Sequence, residues 1–222
     1  MSAIAIFVKT PGLSAIKTRL AETIGSQTAE QWHRLAAQAT AEVAVASEIG
    51  PVYWAVAEPE GTNHMLWRHL PHLVQSAGGL GERMATIYNA LIETHGRAIL
   101  LGADTPQIDP ASLRKAAQWL NVSQARQVIG PATDGGFWLY GGNRSACEHL
   151  WGQVAYSQSD TLEQFQYAMS EQGDWLRLDQ KTDVDRAKDL SCASQALIDL
   201  ATPSPTQARL IQWLEQVTLA GN

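Results

Sequence analysis

Short apolar runs alternate with longer amphipathic segments along the first half of the chain. Four such runs predict strands, at residues 3–8, 52–57, 72–77 and 98–103. The fourth run is apolar throughout apart from one glycine, as in a strand that is covered on both faces of a sheet. Helical periodicity occupies the intervals, at residues 17–25, 28–50 and 80–96. Strands separated by helices predict βαβ units and a mostly parallel sheet.

The alternation changes in the second half of the chain. A helix is predicted over residues 111–120, and two closely spaced strands follow over 126–132 and 135–141. Because no helix separates these strands, antiparallel or mixed pairing is expected there. The remaining predicted elements are two helices, a short strand between them and a final amphipathic helix, at residues 161–172, 184–200, 174–179 and 206–217.

The element order predicts an α/β fold of three layers around a mostly parallel, mixed sheet. The chain has no internal repeat and no long linker, and the sequence TPSP at residues 202–205 separates the last helix from the rest. We therefore predict a single domain over residues 1–200 and a C-terminal helical appendage over residues 201–222.

Composition and charge narrow the possible partners. Apolar residues make up 45% and charged residues 17% of the 222 residues, which is typical of a globular domain. The net charge is −6 and no basic run is present, so a nucleic-acid partner is not expected. No segment has the length of a signal sequence or a membrane span, and the two cysteines lack metal-binding spacing. A cytoplasmic protein with no membrane partner is expected.

Ligands of open α/β sheets bind beyond the carboxyl ends of the strands, so the loops at those ends are the candidate sites. The loop after the first strand carries Lys9, Lys17 and Arg19 around a Pro-Gly turn and leads into a helix. Cations beside a helix N-terminus indicate a phosphate site. An ordinary solvated loop is an equally acceptable interpretation at this point.

A glycine-rich loop follows the third predicted strand. Gly78, Gly79 and Gly81 would let the backbone approach a ligand closely, and Arg83 lies in the first turn of the next helix. Because that end of a helix favours anions, an arginine there indicates a bound anion. A plain glycine turn is the alternative.

A carboxylate, Asp104, comes directly after the most apolar strand. A carboxylate at the end of a buried strand is costly unless it is paired or hydrogen-bonded, and Mg²⁺ or Mn²⁺ is a common partner. Metal ligation is therefore favoured over a turn-forming role. Asp109, by contrast, precedes Pro110 and is predicted to be the N-cap of a helix.

Three further aspartates are candidates. Asp134 precedes two glycines, which suits either a hairpin turn or a substrate that lies against the backbone. Asp183 and Asp185 are predicted at the start of a helix, one as its N-cap and the other free to reach a metal. The sequence lacks the P-loop, the G-x-S-x-G elbow, the strand-following G-x-G-x-x-G and the H-E-x-x-H motif.

Five segments occur in the order seen in a family of bacterial GT-A-type glycosyltransferases. They are FVKTPGLSAIKTRLA, GGLGERM, LLGADTPQI, GPATDGGFWLYG and KTDVDRAKDL. Members of this family are associated with arsenosugar biosynthesis and with radical-SAM enzymes. The chain is also similar, more distantly, to 2-phospho-lactate guanylyltransferases and molybdenum-cofactor guanylyltransferases. The resemblance implies a nucleotide-diphospho-sugar transferase fold that is Rossmann-like.

The resemblance also implies roles for individual residues. The nucleotide and its phosphates would contact a set of basic residues and glycines: Lys9, Lys17, Arg19, Gly79, Gly81 and Arg83. Asp104 would bind a divalent Mg²⁺ or Mn²⁺, with Asp185 as the second ligand, and Asp134 would border the sugar or acceptor. For an inverting reaction, we hypothesize that Asp134 is the base that takes the acceptor's hydroxyl proton. The chain departs from the family at Phe137 and Arg186, where relatives have Tyr and Thr, and this bears on the acceptor.

Three functions are compatible with these observations. The first is transfer of a glycosyl group from a nucleotide-diphosphate sugar to a small-molecule acceptor. The second is nucleotidyl transfer from a nucleoside triphosphate to a phosphorylated small molecule, as in guanylyltransferases. The third is a nucleotide-binding module that has lost transfer activity. The base, sugar, acceptor, stereochemical outcome and oligomeric state are not determined by the sequence.

Overall fold

The computed structural model describes residues 1–220, with side chains up to residue 217, so the predicted appendage extends two residues beyond the described part. Seven strands form one sheet in the order β3-β2-β1-β4-β6-β5-β7. The strands are β1 (Ala3–Val8), β2 (Val52–Val56), β3 (His72–Val74), β4 (Ala98–Gly102), β5 (Arg126–Pro131), β6 (Phe137–Gly142) and β7 (Asp174–Arg177).

Eight α-helices accompany these strands: α1 (Thr18–Ile24), α2 (Ser26–Ala46), α3 (Leu80–His95), α4 (Pro110–Leu120), α5 (Glu148–Gly152), α6 (Thr161–Ala168), α7 (Ala187–Ile198) and α8 (Pro205–Ala220). Short 3₁₀ segments lie at Pro59–Asn63, Met65–Trp67 and Ser170–Gln172. Among the helices of residues 1–220, none is both long and apolar enough to cross a bilayer.

The predicted α/β fold with a mostly parallel, mixed sheet is confirmed. Strand β1 pairs in parallel with β2 and β4, and parallel pairing also joins β2 to β3 and β5 to β7. Only β6 runs the other way, between β4 and β5, as the closely spaced pair of strands predicted. Because β6 is antiparallel, the β5–β6 turn lies at the same edge of the sheet as the carboxyl end of β4.

Both faces of the sheet are covered, which explains why the central strands β1, β2 and β4 are apolar along their whole length. One face packs against α2 and α4 through a cluster that includes Ile4, Trp54 and Leu101. The other packs against α3, α5 and α6 around Tyr88 and Tyr140. The three-layer arrangement follows, because a strand buried on both sides needs a helix layer on each.

Helix α8 packs along α2 and α7 as part of a third apolar cluster. The rings of Trp32 and Trp213 lie 5.8 Å apart, and both side chains are buried. Glu42 accepts hydrogen bonds from the Thr206 backbone N–H and from the Ser204 hydroxyl, at 2.8 Å each. The division of the chain at residue 200 stays a prediction.

Helix starts were predicted less well than strands. Helix α2 begins at Ser26 rather than at residue 28, because Gly25, with a φ of 82°, turns the chain directly from α1 into α2. The prediction that Asp183 or Asp185 is the N-cap of α7 is wrong. The N-cap is Arg186, because the Asp189 carboxylate already accepts hydrogen bonds from the Asp185 and Arg186 backbone N–H groups. The prediction of Asp109 as the N-cap of α4 is confirmed.

Candidate functional site

A cleft of about 940 Å³ opens at the carboxyl ends of β1 and β4, in the center of the sheet. Its walls come from the loop after β1, the start of α3, the loop after β4, the β5–β6 turn and the segment before α7. The cleft is lined by seven of the sequence-predicted site residues: Lys9, Lys17, Arg19, Arg83, Asp104, Asp134 and Asp185. Segments that are far apart in the sequence therefore meet at one site.

Asp104 lies at the end of β4 and forms an ion pair with Lys17. The Lys17 Nζ atom is 2.8 Å from Asp104 Oδ2 and donates a hydrogen bond to the Val184 carbonyl at 2.5 Å. Burial alone would raise the pKa of Asp104, but the nearby ammonium holds it well below its usual range. The Val184 backbone N–H also donates to the Asp104 carbonyl at 3.2 Å, which fixes the two loops together.

Lys17 is held in an unusual conformation for this contact. It is the N-cap of α1 and adopts the left-handed region, with φ and ψ both 46°. Its side chain is 8% exposed. Burial disfavors the ammonium, yet the charges of Asp104 and Asp183 outweigh it and the pKa of Lys17 is raised. A buried, strained, charged residue is typical of a functional site.

Asp183, rather than Asp185, is the second carboxylate of this cluster. Burial and the charge of Asp104 raise the pKa of Asp183 to about 7. The Thr105 hydroxyl donates a long hydrogen bond of 3.4 Å to Asp183 Oδ1. Asp185 lines the cleft farther out, where its Oδ2 atom is 2.8 Å from Nη1 of the exposed Arg19.

Two residues that hold the site together were not singled out by the sequence. His33 of α2 is buried, and its Nε2 lies 2.9 Å from the Lys9 carbonyl, so Nε2 carries the proton and donates it. Its Nδ1 lies 3.8 Å from Asp104 Oδ1, beyond hydrogen-bond distance. Glu58, after β2, accepts a 2.9 Å hydrogen bond from the Thr10 backbone N–H and so fixes the loop that carries the cations. A histidine on the buried face of a helix was the available signal for His33.

The glycine-rich loop places its residues differently. Arg83 lines the cleft and donates a hydrogen bond from Nε to the Gly78 carbonyl at 2.9 Å. Neither Gly79 nor Gly81 lines the cleft. Gly81 instead lies where a Cβ would come within 2.6 Å of the Trp151 carbonyl. The predicted nucleotide contacts of both glycines stay predictions.

Asp134 stands on the β5–β6 turn at the edge of the cleft. Its Oδ1 accepts a 2.9 Å hydrogen bond from the Gly136 backbone N–H, so this aspartate shapes the hairpin as well as facing the cleft. Gly135 has a φ of 91° and lies against the Ser159 carbonyl, where a Cβ would be 2.0 Å from that oxygen. Both alternatives that the sequence left open for Asp134 are therefore compatible with its position.

A second, smaller cavity of about 220 Å³ adjoins the cleft. The two share a set of lining residues where they meet: Phe7, Leu80, Gly102, Asp134, Ser157, Gln158 and Asp183. The inner walls of the small cavity are mostly apolar and include Met84, Leu100 and Phe137. The site is therefore divided into a charged part and an apolar part, with two carboxylates at the junction.

The carboxylates suit a divalent cation that also binds substrate oxygens. Asp104 Oδ1 is buried and has no hydrogen-bond partner among the described residues, and a divalent cation could coordinate it. A cation would also relieve the repulsion between Asp104 and Asp183. Within residues 1–217, no three metal-ligating side chains converge, so a cation here would need substrate or water oxygens as well, as Mg²⁺ commonly does.

Comparison with known proteins gives a family. A sequence profile described as "Uncharacterized protein conserved in bacteria (DUF2064)" matches residues 30–158, more than half of the chain. The chain belongs to the DUF2064 family. A search of curated proteins finds no match to this DUF2064 member.

Solved structures resemble this DUF2064 protein over nearly its full length. A Desulfovibrio desulfuricans G20 protein, a "putative nucleotide-diphospho-sugar transferase", is 25% identical with a TM-score of 0.85, over 99% of this chain and 97% of that one. CMP:2-keto-3-deoxy-manno-octonic acid synthetase, complexed with CTP, is 12% identical with a TM-score of 0.55, over 90% and 99% of the two chains.

A third structure contains a metal. Rv0371C from Mycobacterium tuberculosis H37Rv, in complex with manganese, is 13% identical with a TM-score of 0.51, over 89% of the DUF2064 chain and 99% of its own. The neighbors are thus nucleotide-sugar transferases and nucleotidyltransferases, and the DUF2064 chain has their fold.

Proposed function

We propose that this protein transfers a glycosyl group from a nucleotide-diphosphate sugar to a small-molecule acceptor and depends on a divalent metal. The observation that carries the proposal is the two-part site, with a cationic, carboxylate-containing cleft joined to an apolar cavity at Asp134 and Asp183. A two-substrate transferase needs such a junction, because donor and acceptor must meet at one point. The 25% identity to the Desulfovibrio protein supports the choice of donor class.

The diphosphate would lie among the cations of the first loop and the start of α3. Lys9, Arg19 and Arg83 line the cleft and would bind the diphosphate oxygens. The buried ammonium of Lys17 would help to neutralize the negative charge of the diphosphate. The Mg²⁺ or Mn²⁺ ion would be held by Asp104 and Asp183, with Asp185 at the outer edge. When bound, the ion neutralizes charge that develops on the leaving diphosphate.

Asp134 would be the base toward the acceptor. Its Oδ1 accepts from the Gly136 N–H, which orients the carboxylate, and Oδ2 would take the proton of an incoming hydroxyl. We expect Asp134→Asn to fold normally and lose most turnover, because the amide keeps the turn but cannot take the proton. Normal turnover in this variant would remove Asp134 from the mechanism.

A second candidate is nucleotidyl transfer from a nucleoside triphosphate. Three cations from one loop, Lys9, Lys17 and Arg19, line the cleft, which is enough charge for a triphosphate. In that reaction pyrophosphate would leave and the product would be a nucleotide-linked compound. A role in arsenosugar biosynthesis, implied by the sequence resemblance, is a finer hypothesis that depends on which acceptor is found.

The deciding experiment is a thermal-shift screen with Mg²⁺ or Mn²⁺ against nucleoside diphosphates, triphosphates and diphosphate sugars. A ligand at about 100 times its Kd stabilizes the fold by about 2.7 kcal/mol. Metal-dependent stabilization by a diphosphate sugar, absent in Asp104→Ala, would support glycosyl transfer. A preference for triphosphates would favor nucleotidyl transfer. Binding without turnover on any donor would indicate an inactive nucleotide-binding module.

A further inference from the structure

The small cavity presents apolar surface where a sugar-binding site would present polar groups. Its Tyr156 wall has the polar atom turned away, since Tyr156 Oη donates to the Trp151 carbonyl at 3.1 Å. The Trp138 ring packs in the core on the opposite face of the sheet, where its Nε1 donates to the Asp179 carbonyl at 3.1 Å. The remaining inner wall is apolar at Met84, Leu100 and Phe137, and its Thr161 hydroxyl already donates to the Ala155 carbonyl and accepts from the Gln158 backbone N–H. A polyol placed here would leave hydroxyl groups unpaired, which is unfavorable.

An exposed leucine marks the entrance. Leu80, the first residue of α3, is 47% exposed although it is large and apolar, and it borders both the cleft and the small cavity. The polar groups of the small cavity are gathered at the same entrance, where Asp134, Gln158 and Asp183 lie. An apolar interior with a few polar groups on one side is typical of a site for a small organic molecule.

Gly102 keeps this entrance open. It is the last residue of β4, pairs with Phe7 of β1 and borders both cavities. Side chains alternate along a strand, so a side chain at Gly102 would point to the same face as Leu100, toward α3. A Cβ built there has no atom within 4 Å. The backbone therefore accepts a side chain at this position, and its absence leaves the passage clear.

We propose that the small cavity binds the acceptor, and that the acceptor is an alcohol with a compact apolar body about the size of one ring. This inference rests on the proposed glycosyl transfer. The apolar body would lie among Met84, Phe137 and Tyr156, with its hydroxyl at the junction beside Asp134. The hydroxyl oxygen bonds to the anomeric carbon of the donor while the bond from that carbon to the diphosphate oxygen breaks. The diphosphate leaves with the electron pair, and Asp134 takes the hydroxyl proton.

The size of the residue at position 102 would determine which acceptors can enter the small cavity. Gly102→Ala adds one methyl group to the passage, and Gly102→Val fills more of it. The matched control is Gly152→Val, because Gly152 also has no atom within 4 Å of a built Cβ and borders neither cavity. Melting temperatures of the three variants establish that each is folded before binding is compared.

The first test is binding, read by saturation-transfer NMR on the full chain with benzyl alcohol and glycerol as matched probes. We expect a saturation signal from benzyl alcohol and none from glycerol. The benzyl alcohol signal should weaken in Gly102→Ala, fall at least fivefold in Gly102→Val and stay unchanged in Gly152→Val. Equal signals from both probes, or a benzyl alcohol signal that Gly102→Val does not change, would overturn the inference.

The second test is turnover, with Mg²⁺ and UDP-, GDP- and dTDP-glucose as donors. We expect benzyl alcohol to increase release of the nucleoside diphosphate at least tenfold over water, and glycerol to leave it unchanged. Release that neither alcohol stimulates, or that glycerol stimulates equally, would overturn the acceptor class while the proposed function stands. If no donor is bound or cleaved yet benzyl alcohol binds in a Gly102-dependent way, the proposed function fails and the apolar site stands.

Discussion

Asp104 shows how one residue at a strand end can depend on the rest of the molecule. Its carboxylate would be unstable at the end of a buried strand, and the chain supplies Lys17, with a side chain that is itself buried, to neutralize it. The ammonium is in turn held by the Val184 carbonyl. The pair is therefore a fixed part of the folded protein as well as part of the proposed phosphate site.

Lys17→Met should destabilize the protein by about 3 kcal/mol, because it leaves a partly buried carboxylate without its counter-ion. The double variant Lys17→Met/Asp104→Asn should recover most of that loss, since no unpaired charge remains. Chemical denaturation of the wild type, both single variants and the double variant measures the coupling. Additive losses would contradict a direct ion pair.

Asp183→Asn should stabilize the protein in the absence of metal, and increasingly so as the pH rises. The folded-state pKa of Asp183 is about 7, above the unfolded value near 3.8, so the wild type loses stability as the pH rises from about 4 through about 7. The variant lacks this loss and should gain up to about 4 kcal/mol at pH 8. Thermal melts at pH 4.5 and pH 8 measure the difference.

The wild type and the Asp183→Asn variant also test the proposed metal site. With Mg²⁺ and a nucleoside diphosphate present, the wild type should gain stability that Asp183→Asn does not. Equal ligand-induced shifts in the two proteins would remove Asp183 from the proposed metal site.

The sequence predicted residues at strand ends better than residues on helices. Asp104 was selected because a carboxylate is unexpected after a buried strand, and Lys17 because it is one of three cations beside a helix N-terminus; both line the cleft. The choice of Asp185 over Asp183 as the second metal ligand came from the family resemblance. The carboxylate that lies near Asp104 is determined by an irregular turn of the backbone, which a sequence pattern does not predict. The one signal for His33 was its place on the buried face of a helix, and its role arises from the packing of α2 against the first loop.

At the scale of elements, the residues of the glycine-rich loop have two different roles: Gly81 allows close packing, and Arg83 lines the cleft. Gly81→Ala should cost about 1–3 kcal/mol, because a Cβ there would lie 2.6 Å from the Trp151 carbonyl and 2.7 Å from the Tyr156 ring. Gly79→Ala should change stability by less than about 0.5 kcal/mol, since the nearest atom to its Cβ is 3.9 Å away. Urea denaturation compares the two, and equal losses would contradict this packing role.

The strands themselves were predictable because each is short, apolar and bounded by turns. The first run matches β1 at both ends, whereas the predicted strand at residues 72–77 shortens to His72–Val74. Pairing stops at Val74 because its partner is Val56, the last residue of β2. The helix Glu148–Gly152 was missed, as five residues are too few for a periodic pattern.

At the scale of the whole molecule, α8 completes the core although the sequence sets it apart. Trp213→Ala should destabilize the protein by about 3–5 kcal/mol, because its buried ring packs against Trp32 of α2. A chain truncated after Leu200 should lose more and expose the same cluster to solvent. Thermal melts of both variants test this, with Glu93→Ala on the exposed face of α3 as the control. An unchanged melt for the truncated chain would show an independent appendage.

The bond between Lys17 and the Val184 carbonyl joins residues 167 positions apart in the sequence. Closing so long a loop costs conformational entropy unless the chain between is already ordered, so we expect this contact to form late in folding. A ribosome must therefore synthesize more than four-fifths of this chain before the loop after β1 can be locked in place. In refolding experiments the sheet should form before the protein can bind a nucleotide, so ligand binding would report the final step of folding rather than the first.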